Sequence, residues 1–182
     1  MKSIKILGLL ILTVVFSANT YAQTKMVGGA AMYPTKNIVE NAVNSKDHTT
    51  LVAAVKAAGL VPTLESPGPF TVFSPTNEAF DALPAGTVSN LLKPENKEKL
   101  ISILTYHVVP GKLSSMDLMR MVKANHGKAT LKTVEGEDLY ITMKGHHLMV
   151  TDEKGHTAKI TIADVNQSNG VIHVINKVLL PK

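Results

Sequence analysis

Apolar positions in this chain recur every three or four residues in its first two thirds and every second residue in its last third. Helices are therefore expected first and strands last. Asn37 opens a helical pattern in which Ile38, Val39, Ala42 and Val43 share one face, ending near Asn44-Ser45-Lys46. A second helix begins at Thr49 or Thr50, buries Leu51, Val52, Val55 and Ala58, and stops at Gly59. Leu60 to Pro69, with three prolines, reads as a loop. Phe70-Thr-Val-Phe73 is a short buried strand, and the turn Ser74 to Glu78 feeds a helix reaching Leu83, with Thr76 or Asn77 as its cap. Pro84-Ala-Gly86 breaks that helix, and Val88 to Leu92 gives another turn or two.

The central feature is a change of period. From Lys93-Pro94-Glu95 a helix runs through Leu100, Ile101, Ile103 and Leu104 to Tyr106, and it passes directly into His107-Val-Val109, a β-branched run closed by Pro110-Gly111. Tyr106 and His107 sit at this junction among apolar neighbours. Their polar tips are expected to be buried, and a buried donor or acceptor without a partner costs about 1–3 kcal/mol. An architectural role follows for both. Ser114 or Ser115 then caps a helix through Met116, Leu118, Met119 and Val122 that ends at Asn125-His126-Gly127. Five strands follow: Ala129 to Val134, Leu139 to Met143, His147 to Thr151, Thr157 to Val165 and Val171 to Leu180, separated by polar, glycine-containing turns. Runs of helix followed by runs of strand define an α+β class.

The ends and the composition narrow the setting. Lys2 and Lys5, the apolar stretch Ile6 to Phe16 and the small-residue exit Thr20-Tyr-Ala22 form a signal peptide spanning residues 1–22. The apolar stretch is shorter than the roughly 20 residues a spanning helix needs, so a soluble export without stable membrane insertion is expected, secreted or periplasmic. Cleavage before Gln23 lowers the formal charge from +5 to +3. Residues 23–36, glycine-rich and without a sustained period, read as an N-terminal arm or linker; residues 37–182 form one domain. A domain of this size buries roughly 68–70% of its unfolded surface, which removes the need for disulfides, and the chain has no cysteine. With no Trp, four Phe and four Tyr, it has few platforms for stacking on bases, and nucleic acid is not expected as a partner.

Three segments resemble the fasciclin domain. They are Phe70-Thr-Val-Phe-Ser-Pro-Thr-Asn-Glu-Ala-Phe80, Leu104-Thr-Tyr-His-Val-Val-Pro-Gly111 and Asn169-Gly-Val-Ile-His-Val-Ile-Asn-Lys-Val-Leu-Leu-Pro181, in the family's order and spacing. The resemblance covers Asn37 to Lys182. It implies a wedge of two β-sheets with a helical layer, here of about five to six short helices, and a role as an extracellular adhesion or matrix module. Tyr106 and His107 match the family's Tyr-His motif, which in some animal members is associated with integrin binding together with flanking aliphatics. A second adhesive motif of the family, an Asp-Ile pair, corresponds to Asp164-Val165. The chain has no Arg-Gly-Asp, and Asn176 stands where the family commonly has aspartate.

The remaining polar groups offer little chemistry. There is no Gly-x-Ser-x-Gly, no His-Glu-x-x-His and no phosphate-cradling glycine loop, so no enzyme and no cofactor are expected. His146, His147 and His156, with Asp152 or Glu153, are the best candidates for a metal site on a hairpin, although adjacent histidines on a strand point to opposite faces. His107 and His173 lie within apolar runs and read as core histidines. Met116, Met119 and Met121 read as core filling. Lys93, Lys97 and Lys99, and separately Lys123, Lys128 and Lys132 with His126, are candidates for acidic polysaccharide or a membrane surface, against the plainer reading of a solvated face. The expected function is therefore non-catalytic contact with a cell-surface or matrix protein or polysaccharide, through Tyr106, His107, Asp164 and Val165. The alternative is small-ligand or metal binding in the envelope at the His146–His156 hairpin.

Overall fold

The computed structural model describes residues 24–182, so the expected signal peptide lies outside the described residues. The stretch read as an arm contains an antiparallel hairpin of β1 (Lys25–Val27) and β2 (Ala30–Met32). Its two-residue loop, Gly28-Gly29, has φ of 56° and 76°, the left-handed pair that a tight hairpin of matching twist requires. Val27 and Met32 are buried against α1 (Ile38–Ala42) and the main sheet, and Lys25 Nζ donates to the Ala163 carbonyl at 2.6 Å.

Asn37 caps α1 in a reciprocal pair with Glu40, and α2 (Thr49–Ala58) ends at Gly59 with φ of 74°. In place of the expected loop, α3 (Val61–Glu65) forms. Pro62 falls in its first turn, where a missing N–H breaks no helical bond. Strand β3 (Phe70–Pro75) leads into α4 (Asn77–Asp81), whose cap is Thr76. Next come α5 (Thr87–Leu91), α6 (Lys97–Tyr106), β4 (Val108–Pro110) and α7 (Ser115–Ala124), the last capped by Ser114 with Asp117. The final strands are β5 (Lys128–Lys132), β6 (Asp138–Lys144), β7 (His147–Thr151), β8 (Thr157–Gln167) and β9 (Gly170–Ile175). Seven α-helices thus occur among the described residues, one more than the upper expectation, the addition being α3.

The main sheet has seven strands in the order β4-β3-β9-β8-β7-β6-β5, and the hairpin is a second, two-stranded sheet. The β3–β9 pair is parallel; the other neighbours are antiparallel. The large sheet curls until its ends nearly meet, where the Val134 N–H donates to the Val108 carbonyl at 2.7 Å. One apolar core lies inside the curl, with Phe73, Tyr106, Leu118, Leu139, Ile141 and Val150 fully enclosed; a second lies among α2, α4, α5 and α6; a third lies under the hairpin and α1. Strand β9 stops at Ile175 and does not reach Leu180. There Asn176 turns outward and exchanges two hydrogen bonds with Lys159, and the chain leaves the sheet to bury Val178 and Leu179.

Gly170 has an ordinary φ but no room for a side chain, because a Cβ would strike the Phe70 carbonyl on the parallel neighbour. Gly170→Ala is expected to cost about 1–3 kcal/mol through forced displacement of β3, read by urea unfolding.

Candidate functional site

The helix-to-strand junction places Tyr106 at the last position of α6 and His107 between α6 and β4. Tyr106 is wholly buried; its hydroxyl donates to the Asp138 carbonyl at 2.8 Å and accepts from the Glu153 N–H at 3.1 Å. Burial pushes the phenol's pKa up, so it stays protonated and able to donate. His107 is also buried. The Ile103 carbonyl, 2.8 Å from Nδ1, can only accept, so Nδ1 carries the proton; Nε2 then accepts from the Leu179 N–H at 3.0 Å. Burial holds this imidazole's pKa down at about 4. Both residues tie the junction to chain segments far away in sequence, and neither side chain is open to a partner.

Asp164 and Val165 lie elsewhere. Val165 is buried in the core under the hairpin. Asp164, on β8 with φ of 55°, turns its carboxylate to the start of α7, accepting from the Ser115 N–H at 2.6 Å and from the Ser115 hydroxyl. Its own N–H donates to His173 Nδ1 at 3.3 Å, while His173 Nε2 donates to the Leu113 carbonyl at 2.9 Å. His173 is thus a neutral core histidine with both nitrogens used. Tyr106 and Val165 sit in different cores, and the four residues do not form one exposed patch.

The open feature beside the junction is an apolar cleft. Val39 of α1, Leu51 and Val52 of α2, Val61 of α3 and Phe70 of β3 wall it; His107 and Val108 form its floor, and Val134, 44% exposed, stands on its rim. Its volume is about 70 Å³, less than half of the ~150 Å³ that an apolar cavity needs to take up benzene. One aliphatic side chain fits there, and a cofactor does not. Sequence reasoning reached the floor of this cleft through the Tyr-His motif. It missed the walls, which come from four separate elements.

The histidine hairpin is occupied by its own hydrogen bonds. The buried Asp152 accepts from His156 Nδ1 at 3.0 Å, from the His156 N–H at 2.8 Å and from the Leu180 N–H at 3.0 Å, while Lys159 Nζ donates to His147 Nε2 at 3.2 Å. Among the described residues no group of three or more His, Cys, Asp or Glu is placed to hold a metal ion. Met119 and Met121 pack against the main core, whereas Met116, expected to fill it too, is exposed at the first turn of α7.

These residues build an α+β domain in which a helix passes to a sheet edge through a buried Tyr-His pair. The chain belongs to the fasciclin-domain family, whose model matches residues 46–181. It is 47% identical over 162 residues to Protein sll1483 of Synechocystis sp., covering 89% of this chain and 83% of that protein. It is 33% identical over 160 residues to the Cell surface glycolipoprotein MPB83 of Mycobacterium bovis, covering 85% of this chain and 64% of that protein. Among solved structures it resembles a FAS1 domain pair from the insect cell adhesion molecule Fasciclin I. The TM-score is 0.70 at 18% identity, over 80% of this chain and 51% of that one. No helix among the described residues is long and apolar enough to cross a membrane.

Proposed function

We propose that this chain is an exported, secreted or periplasmic adhesion module that works without catalysis, binding a protein partner at the cell surface through the apolar cleft over the Tyr-His junction. The observation that carries this reading is the cleft itself: aliphatic walls open to solvent on a domain whose buried junction residues hold its floor rigid. Tyr106 and His107 act as positioning residues, and the partner supplies an apolar side chain to fill the space. Residues 1–22 direct export and are then removed. Of the two classes weighed, metal or small-ligand binding has less support, because the hairpin's Asp152, His147 and His156 are already engaged.

Val52→Glu and Val134→Asp each place a charge in the cleft at a position that is not fully buried. Binding to intact cells is expected to fall sharply in both variants, with melting temperatures near that of the unaltered chain. Because the contact is apolar, binding should change little between low and high salt. Pretreating the cells with protease should abolish it. Unchanged binding by both variants, or full binding to protease-treated cells, would remove this reading.

A further inference from the structure

The outer face of the sheet made by β5 to β8 carries charge that the cleft does not use. Along these strands Ala129, Leu131, Leu139, Ile141, Leu148, Val150, Ala158 and Ile160 point into the core, so the alternate residues face solvent. Strand register sets those residues in rows. Lys128, Thr142, Met149 and Lys159 form one row across all four strands, and Lys144 opposite His147 begins the next. On the other side lies the row Thr130, Tyr140, Thr151 and Thr157.

The charge on this face is one-sided. Its one carboxylate is Asp138, which is held by Lys132 at 2.6 Å at the far end of β6. Among the ion pairs of the described residues none includes Lys128, Lys144 or Lys159. Lys128 and Lys159 are three strand spacings apart, about 14 Å, and Lys144 completes a triangle with them. Lys128 Nζ lies over the Tyr140 ring at 3.7 Å from its centroid, which fixes one cation in place against a flat aromatic surface.

We infer that this face binds an acidic polysaccharide, whose carboxylate or sulfate groups meet Lys128, Lys144 and Lys159. Cations this far apart on the outside of a curled sheet cannot share one small anion, so the ligand repeats its charge along a chain. Thr142, between Lys128 and Lys159 in their row, offers a hydroxyl to sugar hydroxyls. Anionic membranes fit less well: the apolar member of the patch, Met149, is half-buried in its row, leaving nothing to insert among lipids. The site shares no residue with the cleft and does not depend on it.

The test is retention of the full chain on immobilised alginate and dextran sulfate, with uncharged dextran and phosphatidylglycerol vesicles alongside. The expected result is retention on the two acidic polymers, release by salt, and none on dextran. K128A/K144A/K159A should bind about tenfold more weakly or worse, whereas K93A/K97A/K99A, with the same loss of charge elsewhere, should bind as the unaltered chain does. Equal losses in the two triple variants, no retention of the unaltered chain, or tighter binding to the vesicles than to either polymer would overturn the inference. Val52→Glu should keep full polysaccharide binding, which separates this site's failure from that of the cleft.

Discussion

His107→Ala is expected to lower the unfolding free energy by roughly 2–5 kcal/mol, combining a buried cavity with an unpaired Leu179 N–H and an unpaired Ile103 carbonyl. For a domain of this size that is a fall in melting temperature on the order of 10 °C, measurable by calorimetry. The cost arises because Nε2 is the acceptor for a backbone amide 72 residues further on, at a position only 3% exposed. Tyr106→Phe is the milder companion. It keeps the ring in the core but removes the hydroxyl that serves both Asp138 and Glu153, for an expected loss of about 1–3 kcal/mol. A melting temperature for His107→Ala within about 1 °C of the unaltered chain, with cell binding lost, would make His107 a direct contact and contradict the architecture described here.

The burial of these two residues was legible in the sequence because their neighbours Ile103, Leu104, Val108 and Val109 are aliphatic on both sides of the change in period. Their partners were not. Asp138, Glu153 and Leu179 lie 32 to 72 residues away, and no local pattern announces a pairing over that distance. The cleft was hidden for the same reason, since hydrophobic periodicity reports which face turns inward and not where two inward faces fail to meet. The β1–β2 hairpin did leave a signal, Val-Gly-Gly-Ala, whose two glycines permit the tight turn. Strands of only three residues gave too little alternation to confirm it. At α3 the prolines that suggested a loop sit in the helix's first turn or beyond its end, where a helix tolerates them. The basic face shows the converse: Lys128 was visible as part of a sequence cluster, but its companions Lys144 and Lys159 arrive through strand register, and Lys132 leaves the group by pairing with Asp138.

Mild acid is expected to destabilise this domain well before its carboxylates titrate. In the folded chain His107 resists protonation down to about pH 4, because burial disfavours its charged form and a proton on Nε2 would face the Leu179 N–H. In the unfolded chain the same imidazole takes up a proton near pH 6.5. Between those values the unfolded state holds more protons, so stability falls as pH falls, by on the order of 3 kcal/mol for His107 across the whole window. His48 and His173, whose pKa values burial also lowers, steepen the decline. Urea unfolding at pH 7.5, 6.5 and 5.5 measures this where carboxylates in both states remain mostly ionised. His107→Gln should be less stable at pH 7.5 yet lose less on acidification, because one of the titrating groups is gone. A slope equal to that of the unaltered chain would show that His107 does not carry the effect, and stability that rises on acidification would reverse the sign deduced from its burial. Since His107, the floor of the cleft, stays neutral in the folded chain over this interval, binding through the cleft is expected to hold between pH 7.5 and 5.5 for as long as the domain stays folded.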